Sequence, residues 1–88
     1  MYQPLTQEYH ITSLVIHADP GHIGQVSADI WRLSGTEIHA STQEGKLVVT
    51  IEADNQQSVL EQVETINRLP GVLSSSLVYH QVETFSHS

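Results

Sequence analysis

Pro70-Gly71 separates two incompatible periodicities, and that division limits the folds open to the chain. Before it, Val59, Val63 and Ile66, joined by Leu60, recur at the spacing of one helical face. After it, Val72 to Gln81 reads with a period of two: Val72, Ser74, Ser76 and Val78 point one way, Leu73, Ser75, Leu77 and Tyr79 the other. A helix stop that runs straight into a strand places a helix layer against one face of a sheet. With helices on the first set, the second is left as an apolar surface without a cover. The strand therefore points to a binding protein.

The same reading organises the rest of the chain. Tyr9 to His17 is β-branched and apolar enough for a strand, and Asp19-Pro20 supplies an N-cap with proline at the first helical position. Ile23, Val26, Ile30 and Leu33 form the stripe of the following helix, flanked by Trp31 and stopped at Gly35. Thr36 to Ser41 alternates Glu37, His39 and Ser41 against Ile38 and Ala40. A turn at Gln43-Glu44-Gly45-Lys46 then leads into the strand Leu47 to Ala53. Asp54 or Asn55 opens the second helix, with Gln57 or Ser58 placed for capping.

The order strand, helix, strand, strand, helix, strand is the split βαβ pattern. It predicts an α+β, ferredoxin-like βαββαβ fold: a four-stranded antiparallel sheet with two helices on one face and the other face open. At 88 residues the chain is expected to form a single domain over 1–88, with an ordered core of about 9–81 and mobile ends outside it. There is no room for a second core or for a cofactor cavity of enzymatic size.

Composition narrows the partners. Ten acids stand against Arg32, Lys46 and Arg68, a net charge of −7 that disfavours nucleic acid and anionic membranes and favours a basic partner. Without cysteine, disulfides, zinc-thiolate sites and thiol nucleophiles are excluded. The first eight residues lack a basic n-region and an apolar h-region, and no run approaches a membrane span, so a cytoplasmic location without membrane insertion is expected.

Parity assigns the open face. In the first strand Ile11, Ser13, Val15 and His17 are expected outward, against Thr12, Leu14 and Ile16. In the third, Leu47, Val49 and Ile51 meet the helices, leaving Val48, Thr50 and Glu52 outward. With Leu73, Ser75, Leu77 and Tyr79 these residues form an apolar platform, and Glu37 and Glu52 give it an acidic rim; His39 is expected on the same side. Contiguous apolar patches beyond roughly 300–600 Å² mark interaction sites. Cover by the chain's own ends, or sheet-to-sheet pairing of two copies, are the bland explanations of such a face.

Catalytic machinery is not found. Six histidines are the plentiful reactive residues, yet their parities scatter them: His17 and His39 outward on strands that are not neighbours, His10 and His80 of opposite parity, His22 at a helix start. No metal-ligand spacing connects them, and solvation is the default for each. Gly-rich phosphate loops and nucleophile elbows are missing, and Glu61 and Glu64 fall on a polar helix face. Catalytic residues, metal and cofactor are all expected to be none.

Ser13-Leu14-Val15-Ile16, Gly45-Lys46-Leu47-Val48-Val49-Thr50-Ile51-Glu52-Ala53, and Pro70-Gly71-Val72-Leu73 running into Ser76-Leu77-Val78-Tyr79-His80-Gln81 resemble the NapD family over about Ile11 to Glu83. The last hexapeptide is the most specific part, and the helices match in pattern only. The resemblance implies a cytoplasmic chaperone, not an enzyme. Such a chaperone binds the twin-arginine signal peptide of the periplasmic nitrate reductase catalytic subunit precursor and delays export until the molybdenum cofactor is inserted. The acidic rim beside an apolar platform suits a peptide with a cationic head and an apolar stretch.

Two other readings remain. Ala18-Asp19-Pro20-Gly21-His22 is similar to the ligand loop of ACT-type regulatory modules, whose backbone N–H groups at a helix start would hold a small molecule. Such modules are normally joined to an enzyme. The other reading is a sheet-to-sheet dimer with no further ligand; the oligomeric expectation is a monomer or weak homodimer.

Overall fold

The computed structural model describes residues 6–86, with side chains for 9–82. Its elements are β1 (Thr6–Ala18), a 3-10 turn (Pro20–His22), α1 (Ile23–Trp31), β2 (Thr36–Ser41), β3 (Lys46–Ala53), α2 (Gln56–Asn67) and β4 (Val72–Ser86). The strands form one antiparallel sheet in the order β2-β3-β1-β4. This is the ferredoxin-like α+β fold. β1 and β4 run further than the periodic pattern, pairing from Thr6 with Ser86 onward. Beyond the reach of β3 they continue as a two-stranded ribbon, which gives the molecule a long axis of 52 Å against 20 and 17 Å. Residues 1–5 and 87–88, part of the ends expected to be mobile, lie outside the described residues.

Local chemistry sets the element ends. The Asp19 carboxylate accepts from the Gly21 N–H at 3.0 Å, and the Asn55 side chain accepts from the Ser58 N–H at 2.8 Å, each closing a helical start. The Thr36 hydroxyl donates to the Ile30 and Leu33 carbonyls, so the first residue of β2 satisfies the frayed end of α1. Gly71 has φ of +93°, and a side chain there would strike His22 and Val26 where the chain leaves α2. The Pro-Gly stop thus lets β4 start directly beneath α1.

The core lies between the sheet and both helices. Leu14, Ile16, Leu47, Val49 and Ile51 from the sheet are fully buried against Val26 and Ile30 of α1 and Val59 and Ile66 of α2. Both helices therefore cover one face, and the alternation in β1 and β3 is the one expected. At about 1.5–3 kcal/mol for each fully buried aliphatic side chain, this two-layer contact supplies the main stabilising term. Trp31, which flanks the apolar stripe of α1, is 55% exposed at the end of that helix.

Three bulges alter the parity of the outer strands. In β2 the register with β3 shifts between Ile38 and Ala40, which sets Ala40 opposite Val48 and Ser41 opposite Leu47. Ala40 was expected inward and Ser41 outward; the shift exchanges them. In β4 the register with β1 shifts twice, leaving Leu73 and Val78 as the extra residues. Between those bulges every side chain is turned over relative to a simple count by twos.

Candidate functional site

The uncovered sheet face is built from β1 and β3 at its centre. Ile11, Ser13, Val15 and His17 are half-buried along β1. They pair with Glu52, Thr50, Val48 and Lys46 of β3 in turn. Val48 is 39% exposed, Thr50 half-buried and Glu52 exposed. On β2, Glu37 pairs with Thr50, and His39 Nε2 lies 2.8 Å from Thr50 Oγ1, so His39 belongs to this face as well.

On β4, Tyr79 pairs with Ser13 and stands on the open face, its hydroxyl donating to Gln81 Oε1 at 3.1 Å. Leu77 and Ser75, expected beside it, are on the other side. Leu77 pairs with buried Leu14 and Ser75 with buried Ile16. The Ser75 hydroxyl donates to Asn67 of α2 at 2.7 Å. Leu73 is the bulged residue at the strand start, 70% exposed at the edge. Ser74 and Ser76, expected under the helices, occupy the open face opposite His17 and Val15. The platform is thus narrower and more polar than the sequence pattern implied: Ile11, Val15, Val48 and Tyr79 are its apolar members.

The face is electrically polarised along the strands. Glu52, opposite Ile11, and Glu37, opposite Thr50, crowd one end; Lys46, opposite His17, marks the other. At roughly 3.3 Å per residue, Glu52 and Lys46 are about 20 Å apart along β3. Lys46 was absent from the expected site, although its parity with Val48 and Glu52 places it there. Glu44 on the adjoining turn and Asp19 after β1 moderate the basic end, the latter already bonded to Gly21 and 3.5 Å from His22.

A concavity of about 450 Å³ lies on the helix side, between α2 and the β4 edge, lined by Leu60, Val63, Leu77 and His80 among others. His80 reaches buried Thr12 through Nδ1 at 2.6 Å and buried His10 through Nε2 at 3.4 Å. His10 is therefore not the solvated histidine expected, and the pair closes this edge of the core. Among the described residues, no three His, Asp or Glu side chains converge to hold a metal ion. The Asp19–His22 loop uses its Gly21 N–H on Asp19, so it does not hold that donor out to a small molecule.

A family model described as NapD protein matches residues 9–84, a span that holds both helices, β2 and β3 whole and most of β1 and β4. The chain belongs to the NapD family. The Chaperone NapD of Escherichia coli K12 is 33% identical over 76 residues, covering 85% of this chain and 87% of that protein. The Chaperone NapD of Haemophilus influenzae is 28% identical over 76 residues, covering 85% and 82%. The solution structure of the E. coli Tat proofreading chaperone protein NapD aligns with a TM-score of 0.78 at 32% identity, covering 83% of this chain and 78% of that one. An AsnC-family transcriptional regulator from Pyrococcus furiosus shares the fold alone, with a TM-score of 0.59 at 14% identity. NapD relatives are chaperones, proteins that bind another chain without transforming it, and this member is accordingly not an enzyme.

Proposed function

We propose that the chain binds the twin-arginine signal peptide of the periplasmic nitrate reductase catalytic subunit precursor in the cytoplasm. By holding it, the chain delays export until the cofactor is inserted and the reductase has folded. The observation that carries this reading is the polarised open face, in a member of a chaperone family that includes a Tat proofreading chaperone. A cationic segment followed by an apolar one finds carboxylates at Glu37 and Glu52, then Ile11, Val15, Val48 and Tyr79. The peptide lies on the sheet as an amphipathic helix, the recognition mode in which one apolar helix face is laid on a hydrophobic surface.

The two ends of the face set the direction of the peptide. A helix is electropositive at its N-terminus and electronegative at its C-terminus. Its arginine-bearing N-terminal end settles over Glu37 and Glu52, and its C-terminal end points toward Lys46 and His17. Rim charges contribute about 0–1 kcal/mol each, whereas a buried leucine contributes about 1.5–3 kcal/mol, so the apolar contact dominates affinity and the acids govern orientation and on-rate. Calorimetric titration with a synthetic twin-arginine signal peptide tests the reading. Saturable binding that weakens as salt rises supports it, and no binding under conditions where the protein is folded refutes it.

A further inference from the structure

The open face is not uniformly apolar: a row of hydroxyl groups crosses its middle. The strand registers set Glu37 of β2 opposite Thr50 of β3, Thr50 opposite Ser13 of β1, and Ser13 opposite Tyr79 of β4. Aliphatic side chains flank this row on both sides. Ile11, paired with Glu52, lies one row toward the acidic end, and Val15, paired with Val48, lies one row toward Lys46. Along the face β1 therefore reads Ile11, Ser13, Val15, and the hydroxyl of β3 falls level with that of Ser13. His39 Nε2 is 2.8 Å from Thr50 Oγ1, and the Tyr79 hydroxyl donates to Gln81 Oε1 at 3.1 Å. The half-buried Ser13 hydroxyl makes no hydrogen bond among the described residues.

We propose that this row determines specificity: it selects a twin-arginine peptide that carries a neutral hydrogen-bonding side chain, a hydroxyl or carboxamide, at one position inside its apolar stretch. This selection rests on the peptide-binding reading of the open face and sets the register of the peptide on it. Successive rows are roughly 6.6 Å apart, at about 3.3 Å per strand residue. Four residues of helix rise about 6 Å. A helix laid along the strands thus meets successive rows with residues i, i+4 and i+8, which share one of its faces. Residue i covers Ile11, i+4 the hydroxyl row, and i+8 Val15 and Val48. A leucine at i+4 takes Ser13 and Thr50 out of water without replacing the hydrogen bonds they lose. A serine, threonine, asparagine or glutamine there both donates and accepts. It matches the Ser13 hydroxyl, which does the same, and the Tyr79 oxygen, whose proton is already given to Gln81.

Calorimetric titration of the full chain with a peptide series tests this. The series starts from a synthetic twin-arginine peptide whose apolar stretch is leucine and alanine alone, and moves a single serine, then a single lysine, through that stretch. Serine is expected to weaken binding about tenfold where it replaces the leucine over Ile11 or over Val15 and Val48. At one position between those two it is expected to strengthen binding roughly fivefold. In a protein carrying both Ser13→Ala and Thr50→Val that preference is expected to vanish, leucine there binding at least as well as serine, with circular dichroism unchanged because neither residue belongs to the buried core. Ser13→Ala alone is expected to show the same trend to a smaller degree. A serine penalty at every position that faces the sheet, or a serine preference that survives in the folded double variant, would overturn the proposal while leaving peptide binding in place. A preference for lysine at the central position would overturn it too, by assigning the row to Glu37. Failure of every peptide in the series to bind the folded protein would instead refute the peptide-binding reading, and the selection with it.

Discussion

Leu14 faces Leu77 across the β1–β4 ladder, on the side of the sheet that carries the helices. The one-residue bulge at Val78 puts it there. Without the bulge, Leu77 would stand next to Val15 and Val48 on the open face. The relationship divides the apolar surface of β4 in two: Tyr79 serves the open sheet, and Leu77 serves the groove under α2.

That division yields a pair of contrasting mutants. Leu77→Asp places a carboxylate beside Leu60 and Val63, at a position 60% exposed, and is expected to lower stability by about 1–2 kcal/mol. Peptide affinity is expected to stay within a few-fold of the parent. Urea unfolding and calorimetry on the same sample measure both quantities, and a loss of binding without loss of stability would return Leu77 to the peptide site.

Val48→Asp should do the reverse. Val48 is on the open face and is not part of the buried core, so the fold is expected to persist. Loss of the valine contact, together with a charge under the peptide, is expected to weaken binding by at least tenfold, about 1.4 kcal/mol.

The alternation of Leu47, Val49 and Ile51 against Val48, Thr50 and Glu52 was legible in the sequence because β3 is central and regular, and the same holds for β1 from Ile11 to His17. Proline, glycine and asparagine at Pro20, Asn55 and Pro70-Gly71 likewise marked the helix ends through backbone chemistry that is local to the chain. The faces of β4 were not legible. Leu73 and Val78 are bulged residues without any glycine or proline to announce them, and two register shifts inverted Ser74 through Leu77 while leaving Val72 and Tyr79 on the expected sides. His39 and Ala40 tell the same story on β2. Bulges on outer strands arise from the twist and packing of the sheet, which a count by twos does not contain.

Charge reversal at the two ends of β3 separates steering from affinity. Glu52→Lys is expected to slow association several-fold and to flatten its dependence on salt, with a smaller effect on dissociation. Lys46→Glu is expected to speed association while making the two ends of the face alike. Stopped-flow measurements at low and moderate salt check this, and an unchanged salt slope in Glu52→Lys would assign the steering to other acids.

Core and turn positions report on the fold alone. Ile66 is fully buried on the sheet-facing side of α2, and Ile66→Asp is expected to unfold the protein through an unpaired buried carboxylate costing several kcal/mol. Val63→Asp, at a half-buried position, is expected to be destabilising to a lesser degree. Gly45 has φ of +101°, and a side chain there would meet the Ala18 carbonyl, so Gly45→Ala is expected to cost more than about 1 kcal/mol. Thermal unfolding ranks the three, and a Gly45→Ala protein as stable as the parent would contradict the turn geometry.

The most direct test of peptide capture by the open sheet is an NMR titration of the isotope-labelled protein with a synthetic twin-arginine signal peptide. Saturable amide shifts are expected at Ile11, Val15, Val48, Thr50 and Tyr79, together with the Glu37 and Glu52 end of the face. Shifts confined to the β4 edge around Leu77 and Val82, or to Asp19–His22, would contradict it.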